Sequence, residues 1–143
     1  MIEETKISRI IKSEDLNHHG TLFAGRMSEW LVEGCLIAAI KLLGRPEDIV
    51  CVRIHGMDFV RPATKGDIVE LKTRVALLGK KSITAYGKVF VNENRIPSVT
   101  GMTTFVTVDK SGKPYAHGMS LSEEYIRENE EIYKMAIKAK NQR

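Results

Sequence analysis

Three groups of residues carry side chains able to act on a carbonyl centre. Glu33 is the one charge between Trp30 and Ile40 in WLVEGCLIAAI. A carboxylate in apolar surroundings is costly to keep ionised, so burial raises its pKa towards the range a general base needs near neutral pH. Glu29 lies four residues earlier on the same helical face, and with Arg26 the pair could instead form a narrow polar stripe turned to water. The residues alone leave both readings open. Ahead of them runs Asn17-His18-His19-Gly20-Thr21. An asparagine amide can orient a water or a carbonyl, and the N–H groups of a following helix N-terminus can meet a developing oxyanion. Gly20 and Gly25 would let backbone approach a ligand closely, or Asn17 and Gly20 simply make a turn. The third group is cationic: Arg61, Lys65, Lys80 and Lys81, with Ser82, in two turns flanking one strand. They suit separate contacts to a long, multiply phosphorylated ligand, or they are solvated turn residues. Turns at opposite ends of one strand do not meet within a subunit. The adjacent histidines do not aim at one ion, and no HxxxH spacing accompanies them, so no metal site is expected.

The elements that must position these groups follow from periodicity. From Ala24 to Leu43 no proline intervenes, and Met27, Trp30, Leu31, Gly34, Ala38 and Leu42 recur at helical spacing. Gly44 and Pro46 then stop the helix. Glu4 to Lys12 reads as a strand, and IVCVRIHGMDFV, IVELKTRVALL, SITAYGKVFVN and VTGMTTFVTVD read as four more, separated by turns. Short links favour antiparallel neighbours. The pattern is α+β, with a helix so apolar on every side that it needs cover from more than one direction, so self-association is expected. Phe23, Met27 and Trp30 could line an acyl tunnel or belong to the core. Residues 121–143 form a charged tail in which Tyr125, Ile126, Ile132, Tyr133 and Ala136 are helically spaced, read as a surface helix that could fray or make a partner contact.

The chain has 143 residues, enough for one domain, placed at 1–120, before that tail. Its 22 basic and 18 acidic residues leave +4, scattered along the chain, which argues against nucleic acid and leaves room for an anionic small molecule. The apolar run Leu31–Ile40 is too short to span a bilayer and no signal segment opens the chain, so no membrane partner and a cytoplasmic location are expected. Cys35 and Cys51 sit in apolar runs and are expected to be buried free thiols.

DLNHHGTLFAGRMSEWLVEGCLIAA resembles the loop-to-helix motif of the hotdog-fold acyl-CoA thioesterases, close to TNxxGTLFGGxxMxWMDE, matching it at Asn17, Gly20, Thr21, Leu22, Phe23, Gly25 and Trp30. GMDFVRPATKGDIVEL resembles the DFxxPxxxGD element of the same family, and TTFVTVDKSGKP its final strand. The resemblance spans residues 5–115. It implies a hotdog fold, a long helix wrapped by a five- or six-stranded antiparallel sheet, in homodimers assembling to hexamers. It further implies hydrolysis of an acyl-CoA thioester, with no cofactor because CoA is part of the substrate. The site would lie at the dimer interface, with the asparagine loop of one subunit facing the helix acid of the other. His18, Gly20, Thr21, Leu22, Phe23, Gly25, Arg61, Lys80, Lys81 and Ser82 would contact the substrate, and Asn17, Glu33 and Glu29 would be catalytic, Glu33 as base or nucleophile. One departure stands out. Where the family carries its catalytic acid this chain has Val32, and Glu33 follows it about 100° round the helix. A CoA-ester lyase or hydratase, or a non-catalytic acyl-CoA-binding protein, are the alternatives that this departure raises.

Overall fold

Apolar residues at helical spacing, with no proline among them, carry α1 across Ala24–Leu43 despite Gly25 and Gly34, and the chain leaves it through Gly44, whose φ of 78° is the left-handed conformation glycine adopts freely. In the computed structural model, which describes residues 2–142, β1 (Thr5–Ile10) precedes α1; β2 (Ile49–Phe59), β3 (Ile68–Leu78), β4 (Ser82–Val91) and β5 (Val99–Thr107) follow it. The strands form one antiparallel sheet in the order β1-β3-β4-β5-β2. This is the five-stranded hotdog arrangement, with α1 packed along the inner face of the sheet.

Helix and sheet fit through two glycines. A Cβ on Gly87 of β4 would stand 2.5 Å from Leu31 Cδ1, and one on Gly101 of β5 would stand 2.8 Å from Leu31 Cδ2. Bare backbone at these two places receives Leu31, which is fully buried. Gly34, one turn on, lies over Thr73 of β3 and Ile7 of β1, and Thr73 Oγ1 donates to the Gly34 carbonyl at 2.7 Å. Shortening Leu31 to alanine empties a site that rigid backbone cannot close. Leu31→Ala is therefore expected to cost about 2–5 kcal/mol, read as a lowered urea midpoint with unchanged slope.

These contacts also fix the rotation of α1. Leu31 points at β4 and β5, and Gly34 at β3 and β1. Val32 therefore turns to the β2 flank. The side of the helix away from the sheet bears Glu29, Leu36 and Ile40, with Glu33 about 40° round from Glu29 towards β1.

The tail is helical, as its spacing suggested, but broken in two and docked rather than fraying. Residues 121–142 hold two helices, α2 (Glu123–Glu128) and α3 (Glu130–Asn141), docked on the outer face of the sheet. Ala136 of α3 is buried against Ala76, Leu77, Tyr86 and Met102. The Tyr125 hydroxyl donates to the Val75 carbonyl at 2.6 Å, and Arg74 donates to Asn129 at 2.7 Å and to Glu4 at 3.0 Å. Residue 143 lies outside the described residues.

Candidate active site

The loop before α1 is held from both sides. Asp15, itself buried, accepts from the Lys12 N–H at 2.8 Å, while its own carbonyl accepts from the Phe23 N–H at 2.9 Å. Between those clamps Asn17 organises the turn. Its Oδ1 accepts from the N–H groups of His19 at 2.8 Å and Thr21 at 3.1 Å, and its Nδ2 donates to Thr21 Oγ1 at 2.9 Å. An amide nitrogen carries two protons, so one Nδ2–H remains for a ligand. Gly20 takes φ +79° with open space around it, the conformation that lets the turn close. The loop is sewn to the β2–β3 connection: Thr64 Oγ1 donates to the Gly20 carbonyl at 3.1 Å, and the Leu22 N–H donates to the Ala63 carbonyl at 2.8 Å. Arg61 and Lys65, which flank that connection, thus lie beside the asparagine loop. Lys80 and Lys81 sit in the β3–β4 turn, at the other end of a strand roughly 34 Å long. Within one chain the two cationic turns stay apart.

The start of α1 suits a developing negative charge. Phe23 is its N-cap residue but gives no side-chain cap, and no acidic residue occupies the first turn. Backbone N–H groups at the helix start are thus left for an oxyanion. The Phe23 ring folds over Gly25, where an added Cβ would come within 2.5 Å of Cε2. Gly25 is thus needed for that ring position, and Phe23 itself is half-exposed.

Of the two readings left open for Glu33, the single chain matches the polar stripe turned to water rather than the lone acid in an apolar crevice. Arg9 Nη2 donates to Glu33 Oε1 at 2.8 Å, and the Glu33 side chain is 52% exposed. The Arg9 guanidinium also lies 5.2 Å over the Trp30 ring. Turned to the β1 flank, Glu33 is already matched by a cation within its own chain. The physical reason is the helical period: one residue past Val32 rotates the side chain about 100° away from the β2 flank. Glu29 lies about 60° round from Val32 and one turn nearer the Asn17 loop. It keeps only a loose pair with Arg26, at 3.9 Å. Along the helix from Glu29, the partly buried Val32, Leu36 and Ile40 are apolar, with Glu33 beside them on the β1 side.

The β2 flank that Val32 faces is one of the two open edges of the sheet. β2 is an edge strand, and among the described residues nothing pairs with its outer edge. Cys51, Ile54 and Phe59 stand opposite the core residues Phe105, Thr103 and Val99 and therefore share their inward face, yet Ile54 and Phe59 are about half exposed and Cys51 is exposed. Cys51 is thus not the buried thiol its apolar surroundings suggested, because it lies on an edge strand whose outer side nothing covers among the described residues. Cys35 is buried, and burial pushes its thiol up to about 12. Among the described residues, no group of three or more His, Cys, Asp or Glu side chains is placed to hold a metal ion, and no helix is long and apolar enough to cross a membrane.

Comparison with known proteins places this arrangement. The family model described as the thioesterase superfamily matches residues 19–98, more than half of the chain. The acyl-CoA thioester hydrolase YciA of Escherichia coli K12 is 32% identical over 110 residues, which cover 71% of this chain and 81% of that relative. Among solved structures, an apo-hexameric acyl-CoA thioesterase superposes with a TM-score of 0.81 at 29% identity, covering 96% of this chain and 88% of the other. A hexameric thioesterase from Yersinia pestis does so with a TM-score of 0.73 at 28% identity, covering 84% and 96%. With its matched span running from His19 through α1 and the strands β2, β3 and β4, the chain belongs to the thioesterase superfamily.

Proposed function

We propose that this protein is an acyl-CoA thioester hydrolase, releasing a free acid and CoA, and that Glu29 rather than Glu33 supplies the base. The observation that carries the assignment of the base is the rotation of α1. It spends Glu33 on Arg9 and leaves Glu29 only loosely paired with Arg26, beside the partly buried Val32, Leu36 and Ile40, a stripe that a second subunit would cover. Covering that stripe withdraws water from Glu29, the setting in which a carboxylate becomes a competent base.

The substrate carbonyl oxygen receives the spare Asn17 Nδ2–H and the free N–H groups at the start of α1. Glu29 takes a proton from a water as the water oxygen bonds to the thioester carbon. The tetrahedral intermediate then collapses with cleavage of the C–S bond, and the proton passes from Glu29 to the departing thiolate. His18, Thr21, Leu22 and Phe23 line the loop side, and Arg61 is the cation beside it. Lys80, Lys81 and Ser82 would serve substrate phosphates only where a partner subunit brings that turn near.

The uncovered β2 edge, with Ile54 and Phe59 exposed on its inward face, supports a homodimer joined through β2, and the hexameric state of two structural relatives supports assembly of such dimers into hexamers. A charge at the edge should prevent it. Ile54→Lys is expected to shift the protein to monomer in light scattering and to abolish turnover, because the stripe beside Glu29 stays wet.

Val32 favours a second reading, in which the fold binds acyl-CoA without hydrolysing it. Steady-state thiol release over a panel of acyl-CoAs decides between them. Release with saturation kinetics supports the hydrolase; tight binding by calorimetry without release selects the binding protein, and loss of a β-substituted acyl-CoA without release selects a lyase.

A further inference from the structure

On the outer face of the sheet, away from α1, a pocket of about 490 Å³ opens between β2, β4, β5 and the end of α3. Arg53 and Lys140 reach it, with His55 and the hydroxyls of Ser82, Thr84 and Thr104, and no carboxylate lines it. Among the described residues neither cation has an ion-pair partner, unlike Arg9, Arg26, Arg45 and Arg74 elsewhere. The hydroxyls form a chain: His55 Nε2 lies 2.6 Å from Thr104 Oγ1, which lies 2.7 Å from Thr84 Oγ1. Burial and the neighbouring Arg53 charge hold the imidazole below its ordinary pKa, so it is neutral at pH 7 and its tautomer can follow the chain. When Nε2–H donates to Thr104 and Thr104 donates to Thr84, the last O–H of the row is left to donate outward. Thr84 is nearly buried, so that proton has few other acceptors. Lys138 and Lys140 close the last turn of α3 and offset the negative end of its dipole, which would otherwise oppose an anion here.

We infer that this pocket binds a phosphoryl group, held by the Arg53 and Lys140 cations and by the hydroxyl row that ends at Thr84. Two cations, a chain of donors and no acid make a set that an oxyanion with several acceptor oxygens satisfies and a neutral ligand leaves unpaired. The phosphoryl group belongs either to the CoA of the substrate proposed above or to a separate phosphate.

The test uses the full oligomer and inorganic phosphate, titrated by calorimetry and by the NMR signals of the His55 ring, against chloride at equal ionic strength. Saturable binding that moves the His55 signals is expected, with the dissociation constant raised at least tenfold in Arg53→Gln/Lys140→Gln. Thermal melts of that variant establish that it folds. Competition of CoA with phosphate at the His55 signals assigns the group to CoA, and simultaneous binding of the two assigns a separate phosphate. Unmoved His55 signals, or an unchanged constant in the folded double variant, overturn the inference. Phosphate binding is read without turnover, so this inference and the hydrolase reading can each fail alone.

Discussion

Replacing Glu29 by glutamine is expected to lower kcat by about 10²–10⁴, the range a positioned general base contributes, while Glu33→Gln changes it by no more than a few-fold. The glutamine keeps the size of the side chain and removes only its basicity, so folding is spared at an exposed position. Glu33→Gln takes away the charge that Arg9 pairs with, a half-exposed contact whose loss acts on stability and only modestly. The position of Val32 supplies the converse experiment. An aspartate there sits on the β2 flank, about 60° round from Glu29, so Glu29→Gln/Val32→Asp is expected to recover turnover at least tenfold over Glu29→Gln. Initial rates of thiol release from one acyl-CoA check all three variants. A large loss in Glu33→Gln with none in Glu29→Gln would reverse the assignment.

The asparagine is expected to matter almost as much, and its two ends can be separated. Asn17→Asp retains an oxygen to accept from His19 and Thr21 N–H, so the turn is kept, and the Thr21 hydroxyl can reverse its role and donate. What disappears is the free N–H aimed at the carbonyl. Loss of one such donor costs about 10²–10³ in kcat, and the added negative charge beside an oxyanion deepens it. Asn17→Asp is therefore expected to melt within a few degrees of wild type and to turn over at least a hundredfold more slowly. Asn17→Ala should lose both properties, because the His19 and Thr21 N–H groups are left without their acceptor. Circular dichroism melts alongside steady-state rates separate the two effects.

The contrast between Glu29 and Glu33 shows what the residue pattern could and could not carry. The span of α1 is legible because apolar spacing, an absence of prolines and Gly44 all agree on it. The five strands are legible because β-branched runs alternate with turn residues, and the loop motif identifies the family. The rotation of α1 is not local information. It is set by Leu31 seated between Gly87 and Gly101, residues far along the chain that carry no helical signal, and that rotation decides which acid faces which flank. Arg9 is likewise silent in the sequence, since a charged residue in an edge strand reads as solvated. The exposure of Cys51 follows from its place on an edge strand, a tertiary fact that an apolar run cannot express. The docking of α3 depends on small residues, Ala76 and Ala136, meeting across a gap; the helical spacing of Ile132, Tyr133 and Ala136 announces an apolar face in the tail but not the strand that receives it.

The account turns on water being the attacking group, deprotonated by a carboxylate of α1 that never bonds to the acyl carbon. A single turnover of an acyl-CoA in ¹⁸O-water, with enzyme in excess and both acid and protein analysed by mass spectrometry, tests this most directly. One ¹⁸O in the released acid, free CoA in equal amount and an unlabelled peptide containing Glu29 are predicted. Label in that peptide with unlabelled acid, or consumption of the thioester without free CoA, would contradict it.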